Sequence, residues 1–191
     1  MTPVDRQSAE QAVSYLLTLL GEDPEREGLL ATPSRVVRAF EEMLVGNQQQ
    51  PAEILTTTFD EPCDEIVLVT GIRFTSLCEH HLLPFVGTAD VGYLPDKRVV
   101  GLSKLPRLVE CFARRLQVQE RMTRQIAEAI EQQLKPLGVA VIVRAHHSCM
   151  GCRGVRQQDA QMVTSSMLGA FRSESSTRSE FLQLLATQQK W

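Results

Sequence analysis

The four histidines of this chain fall in two adjacent pairs, His80-His81 and His146-His147, and cysteines stand beside each pair. Cys78 precedes the first pair, and Cys149 and Cys152 follow the second. Cys78-x-x-His81 and Cys149-x-x-Cys152 both have metal-ligand spacing, with donor types that zinc takes in tetrahedral geometry. The two segments lie much farther apart in the chain than the halves of a zinc finger. Whatever fold the chain adopts must therefore bring distant segments back to one place, and an ion would sit on a folded scaffold.

The rest of the composition narrows the class. The start, Met1-Thr2-Pro3-Val4-Asp5-Arg6, has no basic stretch followed by an apolar one, so it reads as neither a secretory signal nor a transit peptide. A cytoplasmic location is expected, where disulfides are disfavoured and metal-binding or catalytic cysteines gain weight. No apolar run approaches the roughly 20 residues that cross a bilayer. Of the 191 residues, 43% are hydrophobic and 23% charged, as in ordinary globular chains. The net charge of −3 removes the electrostatic reason to expect nucleic-acid binding. The length fits one domain with an extension.

Residues 1–50 read as a helical extension. Thr2-Pro3 is a helix start signal followed by Ala9, Ala12, Val13, Leu16, Leu17 and Leu20 at helical spacing, with Gly21 as a stop. Thr32-Pro33 is a second start before Val36, Val37, Phe40, Met43 and Leu44, and Gly46 ends that pattern. The polar stretch Asn47 to Pro51 marks the boundary with residues 51–191. From there the order is strand (Ile66 to Phe74), a loop with C-E-H-H-L-L-P, strand (Gly87 to Leu94), a turn, and a short extended piece (Val99 to Leu102). Ser103 is placed to cap a helix with Leu105, Leu108, Val109, Phe112 and Leu116. A second helix carries Met122, Ile126, Ala129, Ile130 and Leu134. A strand (Val139 to Val143), the H-H-S-C-M-G-C-R-G loop and a last strand (Met162 to Leu168) follow. Thr177-x-x-Glu180 predicts a capping box for a terminal helix. Strand pairs flanking two consecutive helices imply an α+β unit, an antiparallel sheet with helices on one face. Its open edges make oligomerisation through sheet edges a physically reasonable solution.

Two readings of the metal site stand on spacing alone. If Cys78, His81, Cys149 and Cys152 all bind zinc, the site is closed and structural. If only three bind, the fourth position is open to a water whose pKa falls towards about 7, which serves hydrolysis. His80 and His147 beside the ligands, and Arg153 and Arg156 after them, suit the open site and an anionic substrate. Cys111 reads as a small core residue and Cys63 as a bystander. Lys104, Arg107, Arg114 and Arg115 are open to two readings, a solvated helix face or an anion site.

Five ordered blocks carry a resemblance: D-P-E-R-E-G-L-L-A-T-P-S-R-V (Asp23 to Val36), S-L-C-E-H-H-L-L-P-F-V-G (Ser76 to Gly87), V-G-L-S-K-L-P-R-L-V (Val100 to Val109), R-R-L-Q-V-Q-E-R-M-T (Arg114 to Thr123) and H-S-C-M-G-C-R-G-V (His147 to Val155). Together they resemble GTP cyclohydrolase I. The resemblance implies the tunnelling fold with its ββααββ core, assembled as a homodecamer of two stacked pentamers with active sites between subunits. It implies hydrolysis of GTP to 7,8-dihydroneopterin triphosphate and formate, the first step of tetrahydrofolate or other pterin synthesis, with Zn2+ as cofactor. Position by position it implies Cys78, His81 and Cys149 as zinc ligands and His80 and His147 as proton-transfer residues. Gln119 and Glu120 match the guanine anchor, Lys104, Arg107 and Arg153 the triphosphate contacts, and Ser103 a residue near the ribose. Cys152 departs from the family pattern, where Met or Ala is common, and a Cys149–Cys152 disulfide that would switch the site off is a further expectation. The competing functions are a related tunnelling-fold enzyme acting on a purine or pterin, such as the nitrile reductase of the queuosine pathway, and a non-catalytic zinc-stabilised binding protein.

Overall fold

In the computed structural model the described residues are 5–187. The Thr2-Pro3 start signal lies outside them. The first described helix, α1 (Arg6–Leu19), begins instead at Asp5, whose carboxylate accepts from the Ser8 N–H at 3.1 Å. The next helix, α2 (Thr32–Met43), has Ala31 at its cap, so Thr32 is already helical and Pro33 lies in the first turn. That start has no side-chain cap, contrary to the role expected of Thr32. A 3-10 turn at Val45–Gln48 follows, where the Gly46 N–H donates to the Arg114 carbonyl at 2.9 Å. A Cβ on Gly46 would lie 2.3 Å from the Cys111 carbonyl oxygen, so only glycine allows this approach. The extension is thereby docked on the body of the chain just before the expected boundary.

The body continues with α3 (Pro51–Ile54), β1 (Thr58–Asp60), β2 (Val67–Cys78), β3 (Pro84–Leu94) and β4 (Arg98–Val100). Then come α4 (Lys104–Ala113), β5 (Leu116–Gln117), α5 (Gln119–Leu134), β6 (Gly138–His147), α6 (Ser148–Gly151), β7 (Gln161–Gly169), α7 (Ala170–Ser173) and α8 (Ser175–Ala186). The main sheet has the order β5-β2-β3-β6-β7 and is antiparallel except for the short parallel β2–β5 contact. β1 and β4 form a separate two-stranded ribbon. The expected α+β core is therefore present, in the expected chain order.

Side-chain alternation divides the sheet into two faces. On β6, Val139, Val141, Val143 and Ala145 pack with Leu105, Leu108, Met122, Ile126 and Ile130 of α4 and α5. The intervening Ala140 and Ile142 lie in a second cluster with Phe171 and Phe181. So α4 and α5 cover one face and the C-terminal helices cover part of the other. Ser103 occupies the cap position of α4, but its backbone is already helical and its hydroxyl makes no cap bond. The Thr177–Glu180 capping box does not form either. α8 starts at Ser175, so Thr177 is inside the helix and its hydroxyl donates to the Glu174 carboxylate at 3.1 Å. The edge-to-face contact of Phe171 and Phe181, 5.5 Å between ring centroids, and the Arg178 guanidinium on the Phe171 carbonyl fix this earlier start.

Two sheet edges are open among the described residues. β5 pairs only with Leu77 and Cys78 of β2, and β7 is flanked by a strand on one side only.

Phe181 is wholly buried although it belongs to the terminal helix. Phe181→Ala is expected to cost about 3 kcal/mol of stability, the usual loss for a buried phenylalanine. Chemical denaturation followed by circular dichroism measures it. A loss near zero would mean that α8 does not help to close the second face.

Candidate metal centre

β2 ends on Cys78, and the chain reverses at once. Cys78 accepts at its carbonyl from the Leu82 N–H at 2.8 Å and donates its own N–H to the Leu83 carbonyl at 2.9 Å. Leu82 takes a positive φ of 54° to close the turn. This tight turn carries Cys78 and His81 to one side. The second segment differs from its sequence reading. His146 and His147 are not in a loop but are the last residues of β6, and only from Ser148 does the chain leave the sheet, in the single turn α6. β3 and β6 pair with Phe85 opposite His147, so the strand leaving the first turn lies against the strand entering the second. That register joins the two halves of the site.

The sulfurs of Cys78 and Cys149 and a ring nitrogen of His81 lie within 4.8 Å of one another. Cys78 is buried, Cys149 half-buried and His81 exposed. Burial pushes the Cys149 thiol above its ordinary pKa, and the neighbouring Cys78 sulfur adds to the rise. Two thiols facing each other in this way ionise together only beside a cation. Two thiolates and an imidazole fit a borderline-soft divalent metal such as zinc. Cys152 is exposed and stands outside this group.

The two remaining candidate histidines have different surroundings. His80 is exposed, with Nδ1 4.0 Å from the Cys78 sulfur and Nε2 4.0 Å from the Glu79 carboxylate. That carboxylate is held by the Arg121 guanidinium, which keeps its pKa below the usual range. His147 is half-buried, stacked flat on Phe85 with centroids 4.5 Å apart and planes 6° from parallel. Burial lowers its pKa, and the charge of Glu120 opposes the drop. His147 is therefore set towards the neutral imidazole.

The other expected site residues divide. Glu120 is exposed in the first turn of α5. Gln119 is not beside it on the surface. It is 1% exposed, its Nε2 donating to the Val143 and Met162 carbonyls at 3.0 and 3.1 Å. Its Oε1 lies 2.8 Å from His147 Nε2. A side chain so engaged is turned away from the surface on which Glu120 lies. The helix period explains the split, since adjacent residues on α5 point to different sides. Lys104 and Arg107 line a hollow of about 370 Å³ with residues 48–50, Glu53, Ile54 and Glu110, and share it with none of the metal group. Ser103 and Arg153 are exposed. Arg114 is paired with Glu110 and Glu42, and Arg115 lies over the Phe112 ring and donates to the Cys111 and Gln49 carbonyls. Cys111 is fully buried, as expected of a small core residue. Sequence reasoning missed Phe85 and the Glu79–Arg121 pair, whose roles arise from strand register and from a contact across 42 positions.

The family described as GTP cyclohydrolase I matches residues 9–186. A GTP cyclohydrolase 1 of Rickettsia felis is 50% identical over 188 residues, covering 97% of this chain and 99% of that one. Those of Thermobifida fusca and Gloeobacter violaceus are 51% and 55% identical over 95% and 91% of this chain, and 89% and 82% of their own. Among solved structures, the apo form of the archaeosine synthase QueF-Like overlaps 55% of this chain and 93% of its own at a TM-score of 0.46 and 16% identity, a likeness too distant to inform the site. No helix among the described residues is long and apolar enough to cross a membrane.

Replacing Cys78, His81 or Cys149 by alanine is expected to lower metal content by about tenfold or more, since each removes one of the three candidate donors. Cys152→Ala is expected to retain metal as the parent does. Metal analysis of the four purified proteins checks this, and a Cys152→Ala protein as depleted as Cys149→Ala would contradict the three-donor site.

Proposed function

This chain belongs to the GTP cyclohydrolase I family, and from that premise we propose how its residues carry out the hydrolysis of GTP to 7,8-dihydroneopterin triphosphate and formate. The observation that supports the reading is the group of Cys78, His81 and Cys149, with His80 and His147 beside it. We assign zinc to the three donors. Bound there, zinc supplies Lewis acidity and a nucleophilic water at neutral pH. The fourth donor that would close the site, Cys152, is left out.

The protein's own groups do the rest. Glu120 is the acceptor for guanine, a carboxylate whose two oxygens match the N1–H and the exocyclic amine. His147, its pKa lowered by burial, and His80, open to solvent, move protons as water adds at C8 of the purine and the imidazole ring opens between C8 and N9. A second hydrolysis releases formate. Ring opening of the ribose, an Amadori-type rearrangement and closure of the pterin then need only proton transfers, with no oxidant or reductant. Lys104, Arg107 and Arg153 are the cations for the triphosphate, and Ser103 lies near the ribose.

Lys104 and Arg107 line a hollow apart from the metal group of their own chain. The proposed active site is accordingly completed by a neighbouring subunit. β2, which β5 covers only at Leu77 and Cys78, and β7 present different open edges, and we infer that a head-to-tail contact between them closes into a ring. We propose two pentameric rings stacked as a decamer, in the cytoplasm. Residues 51–191 then form the catalytic domain and residues 1–50 a helical extension.

Incubation with GTP followed by oxidation is expected to give neopterin fluorescence and formate in equal amounts, and chelation of the metal to abolish both. Metal-loaded protein that yields neither would contradict the reading. Glu120→Ala is expected to lower kcat/KM for GTP by about a hundredfold, the scale for losing paired hydrogen bonds to a buried polar edge. An unchanged value would remove Glu120 from the guanine site.

A further inference from the structure

We propose that Gln119 is a positioning residue that fixes His147 as the tautomer protonated on Nε2, with the lone pair on Nδ1. The proposal rests on the reading above that His147 moves protons.

The orientation of the Gln119 amide follows from its partners. Its Nε2 faces the carbonyl oxygens of Val143 at 3.0 Å and Met162 at 3.1 Å. Carbonyls only accept, so the amino group must lie on that side and the amide oxygen on the other. That oxygen is 2.8 Å from His147 Nε2. An amide oxygen has no proton to give, so the contact is a hydrogen bond only if His147 Nε2 carries the proton.

A closed ring of hydrogen bonds holds the amide in this sense. Thr123 Oγ1 donates to the main-chain carbonyl of Gln119 at 2.7 Å. Its proton being spent there, the 2.7 Å contact with Thr164 Oγ1 has Thr164 as donor. Thr164 Oγ1 in turn receives the Gln119 amino group at 3.1 Å. The two amide protons of Gln119 are shared among three acceptors, all of which keep the amino group on this side. Turning the amide over would set its oxygen against two carbonyls and leave His147 facing an amino group. Gln119 and Thr123 are each 1% exposed, so the Gln119 end of these bonds is shielded from water. The imidazole plane is held separately, by the flat stack on the buried Phe85 ring. Plane and tautomer are thus both fixed, with Nε2 bonded to Gln119 and Nδ1 left as the acceptor.

Nitrogen-15 NMR of the metal-loaded protein, labelled at its four histidines, tests this. The expected spectrum shows neutral His147 with its proton on Nε2, and a proton on Nδ1 would overturn the proposal even if every variant failed to fold. Gln119→Leu is expected to mix the two tautomers at unchanged metal content. It is expected to lower kcat at least about tenfold, within the range of general acid–base effects, while KM for GTP changes less than about threefold. A Leu variant with full kcat, or one that keeps the single Nε2-protonated tautomer, would overturn the positioning role. His147→Ala separates this from the parent reading. If His147→Ala abolishes turnover while Gln119→Leu does not, only the positioning role fails. If His147→Ala turns over normally, the assignment of proton transfer to His147 fails whatever the tautomer.

Discussion

The structure depends first on the pairing of β3 with β6 in the register that sets Phe85 opposite His147. One strand leaves the turn that holds Cys78 and His81, and the other enters the turn that holds Cys149. Their hydrogen bonds therefore convert a long separation in sequence into a group of donors within 4.8 Å. A slip by one residue would turn His147 to the other face of the sheet and carry Cys149 away from Cys78. Gly87 shows how tight this pairing is. It lies opposite Ala145, and a Cβ there would come within 2.7 Å of the Ala145 Cα and closer still to the Arg144 carbonyl oxygen. The strands can approach as they do because that position has no side chain.

The same sheet separates structure from chemistry by its two faces and its two ends. α4 and α5 bury the face that carries the larger core, and α5 brings Gln119 and Glu120 to the end where the metal donors converge. Successive residues there do different work. Gln119 turns inward to hold an imidazole, and Glu120 remains outside. The cations of α4 face a hollow bounded by residues 48–50, apart from the metal donors of the same chain. Among the described residues β7 and most of β2 are left with one unpaired edge each. The modest overall negative charge coexists with local positive charge on α4, where Lys104 and Arg107 line one hollow.

Much of this was legible in the sequence. The strands and helices follow from periodicity and β-branched runs, and the spacings Cys78-x-x-His81 and Cys149-x-x-Cys152 mark a metal site while leaving three or four donors open. What was not legible depends on contacts between distant residues. The spacing Cys149-x-x-Cys152 is as good for a metal as Cys78-x-x-His81, and only three-dimensional position leaves Cys152 outside the group. Gln119 read as a surface neighbour of Glu120, because nothing local marks a glutamine whose partners are carbonyls on two strands. Thr177 and Glu180 have the capping-box spacing, but the packing of Phe171 on Phe181 starts the helix earlier. Ser103 sits where a cap belongs, yet its backbone has already entered the helix. In each case tertiary packing overrode a correct local preference.

The central claim is that three side chains, Cys78, His81 and Cys149, hold the metal and leave a coordination position open. X-ray absorption at the zinc edge of the zinc-loaded protein tests it most directly. The account predicts two sulfur scatterers at about 2.3 Å with nitrogen and oxygen at about 2.0–2.1 Å. Three sulfur scatterers would place Cys152 in the first coordination shell, close the site and contradict the account.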